Sequence, residues 1–350
     1  MRQFNWYVVV FISAVLTGCG SSSDLPAKPK FTSQVSFGDS LSDVGSYNTG
    51  LVASLGGGQF TISIPATPTN WTQLTAAQFS LSNPCAYEVG LNDGTGTPSA
   101  TNVTSTFNTS CTGYAQGGAR VTSPVGIGNS ALGGGGFFLT VPVMTQISNH
   151  VTAHGGFTGS EIVLVMAGAN DIFFQAATVV DATTQAAAIT AVQAAATQLA
   201  GYVTNQIVGN GAKYVVVVNV PDIGSTPYGA SLGANVALIN ALVSAFNTQL
   251  ASALPDSANV LNVDAFTANK DEVANAANYN LTNVSGTACN LTAPSPNLLG
   301  SSLVCNSANL NTGVLSSDHY LFADAVHPTP YGHALFASYV LKAMTNKGWF

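Results

Sequence analysis

Residues 214–220 read Tyr-Val-Val-Val-Val-Asn-Val. Five valines in seven positions leave no polar face. A strand with one solvated face alternates, whereas a strand covered on both faces reads as an unbroken apolar run, the signature of a buried parallel sheet. Three further runs of strand length share this character, at Gln34–Phe37, Ile162–Met166 and Val260–Val263. Helical stretches separate them. Val141–His150 precedes the second run and Ala186–Ile207 the third. Ala234–Leu254 precedes the fourth, with apolar residues at Val236, Leu238, Ile239, Leu242, Val243, Phe246 and Leu250, a helical spacing. Tyr331–Thr345 closes the chain as a last helix. Strands alternating with helices predict an α/β chain of three layers, α/β/α, around a mostly parallel sheet. Residues 50–135 and 276–320 are rich in Gly, Thr, Ser and Asn and weakly periodic, and read as long loops on the functional edge of the sheet.

Composition narrows the function. Charged residues make up 7% of the 350, against ~25% in an average globular chain. With 46% hydrophobic residues the chain has the means to bury a core, which excludes global disorder. The net charge of −7 opposes binding to nucleic acid or electrostatic docking on anionic lipid. No Walker or dinucleotide fingerprint occurs, and no Cys-x-x-Cys or Cys-x-x-His spacing suits zinc. No metal and no cofactor is expected. His150 and His154 stand four apart, but no acid or cysteine lies beside them, so they read as polar residues at a helix end.

The N-terminus, MRQFNWYVVVFISAVLTGC, places Arg2 before an apolar run from Trp6 to about Leu16. Spanning ~30 Å of hydrocarbon takes ~20 residues, so this run is a secretory leader rather than a membrane span. Leu16-Thr17-Gly18-Cys19 resembles the lipobox of bacterial lipoproteins. That resemblance implies a lipoprotein signal peptide over 1–18, cut before Cys19, whose sulfur carries a diacylglycerol. It implies an exported lipoprotein, held at the cell envelope through an N-terminal lipid anchor in the membrane. Residues 19–32 suit a flexible tether and 33–350 a single folded domain. Four cysteines remain. Three connectivities are possible, and local pairing, Cys85 with Cys111 and Cys289 with Cys305, is favoured because each pair brackets a polar, loop-like stretch. Closing a loop of that size contributes roughly 3 kcal/mol.

Four segments have chemical potential. Phe37-Gly38-Asp39-Ser40-Leu41-Ser42-Asp43 follows the first strand, so Ser40 falls beyond a carboxyl end, at the expected start of a helix whose N–H groups stabilise an anion. Asp324-Ala325-Val326-His327-Pro328 offers a base to activate a serine and an acid to orient the base. Gly168-Ala169-Asn170-Asp171 follows the second strand and places an amide donor on the same edge. Tyr114-Ala115-Gln116-Gly117-Gly118-Ala119 lets backbone approach a ligand closely. Each alone also reads as an ordinary cap, turn or surface pair.

Together, in this order, the segments resemble the blocks of the GDSL (SGNH) hydrolase family, lipase/esterase branch, over about residues 33–345. Asn70-Trp71 and Val218-Asn219-Val220-Pro221-Asp222-Ile223-Gly224 add to the likeness. The resemblance implies a flavodoxin-like fold and a serine ester hydrolase acting on an ester or lipid substrate. Ser40 would be nucleophile, His327 base and then acid, and Asp324 its orienting partner. The Ser40 and Gly118 N–H groups and the Asn170 side chain would form the oxyanion hole. Two positions depart from the family pattern: Gly113 and Ser46 stand where relatives often carry Asn.

Rivals exist within the chain. Gly229-Ala230-Ser231-Leu232-Gly233 fits a nucleophile elbow, but no strand runs into it and Pro221 and Pro227 intervene. Asp318-His319 is a decoy for the Asp–His pair. Arg120, the one arginine beyond Arg2, is read as pairing with an aspartate, with a substrate anion as the alternative. Two other functions use the same features: removal of O-acetyl groups from polysaccharide by the same triad, and non-catalytic binding at the cell surface.

Overall fold

The valine run lies in the middle of a four-stranded, wholly parallel sheet in a computed structural model that describes residues 28–293 and 297–350. Cys19, the leader over 1–18 and the tether as far as residue 27 lie outside the described residues. Eight strands follow in chain order: β1 (Ser33–Gly38), β2 (Glu88–Leu91), β3 (Val103–Phe107), β4 (Glu161–Met166), β5 (Tyr214–Val218), β6 (Val260–Val263), β7 (Asn283–Thr287) and β8 (Tyr320–Phe322). The central sheet runs β1-β4-β5-β6, with Val35, Val163, Val215 and Val260 in one row across it. The antiparallel pair β2–β3 and the parallel pair β7–β8 stand apart.

The free edge of β1 is not bare. Ser36 N–H donates to the Thr112 carbonyl at 3.0 Å, and Tyr114 N–H donates to the Ser36 carbonyl at 2.8 Å. This short parallel segment stands as strand 2, at the edge, in the order 2-1-3-4-5, the flavodoxin-like arrangement. Gly113 lies at its centre. A Cβ there would meet Val44 Cγ2 at 2.7 Å and the Cys85 carbonyl at 2.8 Å, so the close approach excludes the Asn that relatives carry.

Successive residues of a strand point to opposite faces, and both faces are covered. Val163, Val165, Val215 and Val217 pack with helices α3 (Val143–His154), α4 (Ala169–Ala176), α5 (Ala182–Tyr202) and α7 (Val236–Ala253). Ile162, Leu164, Val216 and Val218 pack with Trp71 of α2 (Trp71–Gln78) and Val340 and Met344 of α9 (Pro330–Asn346). That is why the valine run shows no alternation. Each side chain buried this fully contributes roughly 1.5–3 kcal/mol relative to exposure. The remaining α-helices are α1 (Gly50–Ser54), α6 (Pro227–Ser231) and α8 (Ala265–Ala274).

The expected loops hold more structure than their composition suggests. Residues 50–135 contain α2 and the β2–β3 pair, and 276–320 contain β7. Helix α2 has eight residues and no clear apolar stripe; its local signal is a capping box, Asn70 with Gln73. The four cysteines pair as Cys85–Cys111 and Cys289–Cys305.

Candidate active site

Strands β1 and β4 end side by side where the sheet order reverses, the place at which open α/β sheets bind ligands. Gly38 closes β1 with φ +151°, and a Cβ there would lie 2.1 Å from the Met166 carbonyl of β4. Gln146 of α3 braces the same residue, accepting from Gly38 N–H and donating to its carbonyl, both at 2.8 Å.

Ser40 does not start a helix. It sits in a turn over Asp39–Asp43, and the next helix, α1, begins at Gly50. Aspartate side chains compete with helical hydrogen bonding by capturing nearby N–H groups. Asp39 accepts from Leu41 N–H at 3.1 Å, and Asp43 from Gly45 and Ser46 N–H at 2.9 and 2.8 Å. Asp43 also accepts from the Ser46 hydroxyl and, at 2.9 Å, from Gly117 N–H, so this fully buried carboxylate ties the serine turn to the glycine loop. Ser46 thus has a structural partner. Burial pushes the Asp39 carboxyl up to about 7, against the pull of nearby His327.

The Asp324–His327 turn follows β8 and is closed by Ala323 N–H donating to the His327 carbonyl at 2.8 Å. His327 Nε2 lies 2.8 Å from Ser40 Oγ, and Nδ1 lies 2.8 Å from Asp324 Oδ2. Asp324 accepts further from the backbone N–H groups of Ser302, Val326 and His327 at 2.9, 3.0 and 2.8 Å. Burial alone would raise its carboxyl. The His327 charge and these donors outweigh burial and hold it well below the usual carboxylate range. The ring of Phe60 packs 4.9 Å from the His327 ring.

Asn170 sits in the first turn of α4, beyond β4. Its amide donates to the Ala119 carbonyl at 3.0 Å, joining α4 to the glycine loop. In that loop the Gly117 N–H is taken by Asp43. Among the described residues, the N–H groups of Ser40 and Gly118 have no protein acceptor. Gly118 holds φ +78°, and a Cβ would reach 2.0 Å from the Ile127 carbonyl. Beneath the loop, Arg120 Nε donates to Asp171 Oδ1 at 3.0 Å, Val121 N–H donates to Oδ2 at 2.9 Å, and the guanidinium lies 4.1 Å over the Phe174 ring. Arg120 therefore pairs with an aspartate, and burial keeps the Asp171 carboxyl raised despite these partners.

Ser40, Gly118, Asn170 and His327 all open onto one cavity of about 210 Å³. Its remaining walls are chiefly apolar, including Phe60, Ile127, Phe138, Phe173 and Ile223. The rival residues lie elsewhere. Ser231 ends α6, donates to the Tyr228 carbonyl at 2.7 Å and follows no strand. His319 is bonded to the Asn280 carbonyl at 2.8 Å and stacked on Tyr331. His150 is not an exposed helix-end residue: it is buried against Phe37, Tyr114 and Phe157, and burial, with His154 beside it, lowers it to about 4. Among the described residues, no group of three or more His, Cys, Asp or Glu is placed to hold a metal.

A model of the GDSL-like lipase/acylhydrolase family matches residues 35–340. The chain belongs to that family. No curated protein matches it. In this GDSL-like hydrolase the four sequence blocks converge from opposite ends of the chain onto one cavity. Sequence reasoning missed the braces behind them, Asp43 and Gln146. The signal for Gln146 was available: it is a polar residue on the apolar face that Val143 and Ile147 present to the core.

Proposed function

We propose that this GDSL-like hydrolase is an exported serine ester hydrolase that acts on carboxylic esters through an acyl-enzyme. The observation that carries the reading is the 2.8 Å approach of His327 Nε2 to Ser40 Oγ, with Nδ1 on a carboxylate held ionised, at the wall of an apolar cavity. Ser40 Oγ attacks the ester carbonyl carbon while His327 Nε2 takes its proton. Asp324 fixes the tautomer with hydrogen on Nδ1 and stabilises the imidazolium. The tetrahedral oxyanion receives the N–H groups of Ser40 and Gly118 and the Asn170 amide, which are already oriented and need little reorganisation. His327 then protonates the departing alkoxide, the alcohol leaves, and water repeats the sequence to release the acid. No step calls for a metal or cofactor. The apolar walls favour acyl groups larger than acetyl, which sets this reading above polysaccharide deacetylation.

Labelling with a fluorophosphonate and turnover of para-nitrophenyl butyrate test the chemistry. Wild type and Ser231→Ala are expected to label and turn over, and Ser40→Ala to do neither. Turnover surviving in Ser40→Ala would defeat the assignment. The lipid anchor on Cys19 belongs to the same proposal: incorporation of labelled fatty acid by the cells that make the protein is expected, and its persistence in Cys19→Ala would refute it.

A further inference from the structure

We propose that Phe173 sets the length of acyl chain accepted, by walling the catalytic cavity off from a second groove that runs along α4. The inference rests on the ester-hydrolase reading above and specifies the substrate within it.

Among the described residues, Phe173 alone lines both spaces. It stands one helical turn beyond Asn170, so its ring reaches the cavity from the side where the oxyanion amide lies. On the far side of the ring is a groove of about 470 Å³ whose apolar walls include Ala176, Val179, Val180, Leu232, Leu238 and Ile239. Asp181 and Asn235 are exposed at its rim. The wall is completed by Tyr228, which meets the Phe173 ring edge-on at 5.3 Å and 89°. Tyr228 is itself anchored, its N–H donating at 2.8 Å to the Ala325 carbonyl in the turn that carries His327. The wall therefore moves with the catalytic residues rather than with a loose surface loop.

The cavity is small. At roughly 30 Å³ per methylene-sized unit, the share of a water molecule in the liquid, about 210 Å³ takes about seven heavy atoms, the scissile group included. With two ester oxygens counted, about five carbons remain, so a butyryl ester fits whole and a hexanoyl chain reaches the Phe173 wall. The groove beyond Phe173 follows the end of α4 at Ala176 and Ala177 and the residues after it to Val180. Opened to the cavity, it would accept the distal half of a long acyl chain. Val180, at the far end, is 84% exposed, so among the described residues nothing covers that end.

The test compares kcat/KM for para-nitrophenyl esters from acetate to laurate. For the wild-type protein, butyrate or hexanoate is expected to be preferred, with laurate lower by about tenfold or more, the scale on which hydrophobic pockets discriminate chain size. Phe173→Ala is expected to raise the laurate-to-butyrate ratio by about tenfold or more. Phe173→Leu, which keeps apolar packing, is expected to give an intermediate rise. Adding Ala176→Trp to Phe173→Ala refills the groove and returns the ratio toward the wild-type value. An unchanged ratio in both Phe173 variants, or no reversal by Ala176→Trp, overturns the inference. So does a wild-type enzyme that takes laurate as readily as butyrate. Fluorophosphonate labelling of Ser40 separates the two levels. A labelled, active enzyme with an unchanged ratio sinks the wall alone, whereas a wild-type protein that neither labels nor turns over any ester sinks the underlying reading.

Discussion

Replacing Arg120 by Met separates two accounts of the Arg120–Asp171 pair. An exposed ion pair contributes about 0–1 kcal/mol, whereas removing one partner of a buried pair costs about 3–5 kcal/mol, because the survivor is left charged and unpaired. The two side chains are 12% and 5% exposed, which places them in the second class. Met keeps most of the stem but removes both the charge and the contact over Phe174, and leaves Asp171 with Val121 N–H. At roughly 1.5 °C per kcal/mol for a folded domain of this length, the midpoint of thermal unfolding should fall by about 4–8 °C. The sign of the pH dependence follows from Asp171. Its folded-state pKa is raised above the ordinary 3.8 even with Arg120 present. A raised carboxyl stabilises the fold below its unfolded value, and that contribution is lost as pH rises through the folded value. Without Arg120 the folded value rises further, so the deficit should be small near about pH 4 and grow toward about pH 8. Adding Asp171→Asn removes the stranded charge and should recover most of the loss at about pH 8. Urea or thermal denaturation at both pH values decides it. A single-variant loss below about 1 kcal/mol, or an equal loss at both pH values, would refute the reasoning.

Four further outcomes are expected. Asn170→Ala should lower kcat by about 10²–10³ with KM little changed, since one oxyanion donor is lost; single-turnover kinetics on a butyrate ester checks it. Asp324→Asn should lower kcat by about 10⁴ through the wrong His327 tautomer, with the far-ultraviolet circular dichroism unchanged. Asp39, raised from 3.8 to about 7, stabilises the fold below 3.8 and loses that contribution as pH rises toward 7. Asp39→Asn should therefore flatten the decline in unfolding free energy across that interval, as read in urea titrations. Removing Cys289–Cys305 by paired serine substitutions should cost about 3 kcal/mol. It should also lower kcat more than removing Cys85–Cys111 does, because Ser302, which donates to Asp324, lies three residues before Cys305.

The sheet was legible because burial on both faces forces unbroken runs: the Tyr214 and Val260 strands appear within two residues of their expected bounds. The disulfides were legible because each closes a local polar loop. The environment of Ser40 was not. A serine just beyond a strand reads as the start of a helix, but Asp39 and Asp43 take nearby N–H groups into a turn, and the Asp43 set includes the Gly117 N–H, 74 residues later in the chain. His150 misled for the same reason. Its burial depends on Phe37 and Tyr114, which are distant in the chain and invisible to local pattern. Position 113 shows the converse, where a departure from the family pattern acquires a cause only when Val44 and Cys85 are seen against it.

Ser40 and His327 are 287 residues apart. At about 5–20 residues per second, the ribosome makes the histidine roughly 15–60 s after the serine. On the proposed mechanism, a chain that stops before residue 327 carries a nucleophile with no base to activate it. On that mechanism ester cleavage waits until almost the whole chain has been made, because the proposed base comes only 23 residues before the C-terminal Phe350.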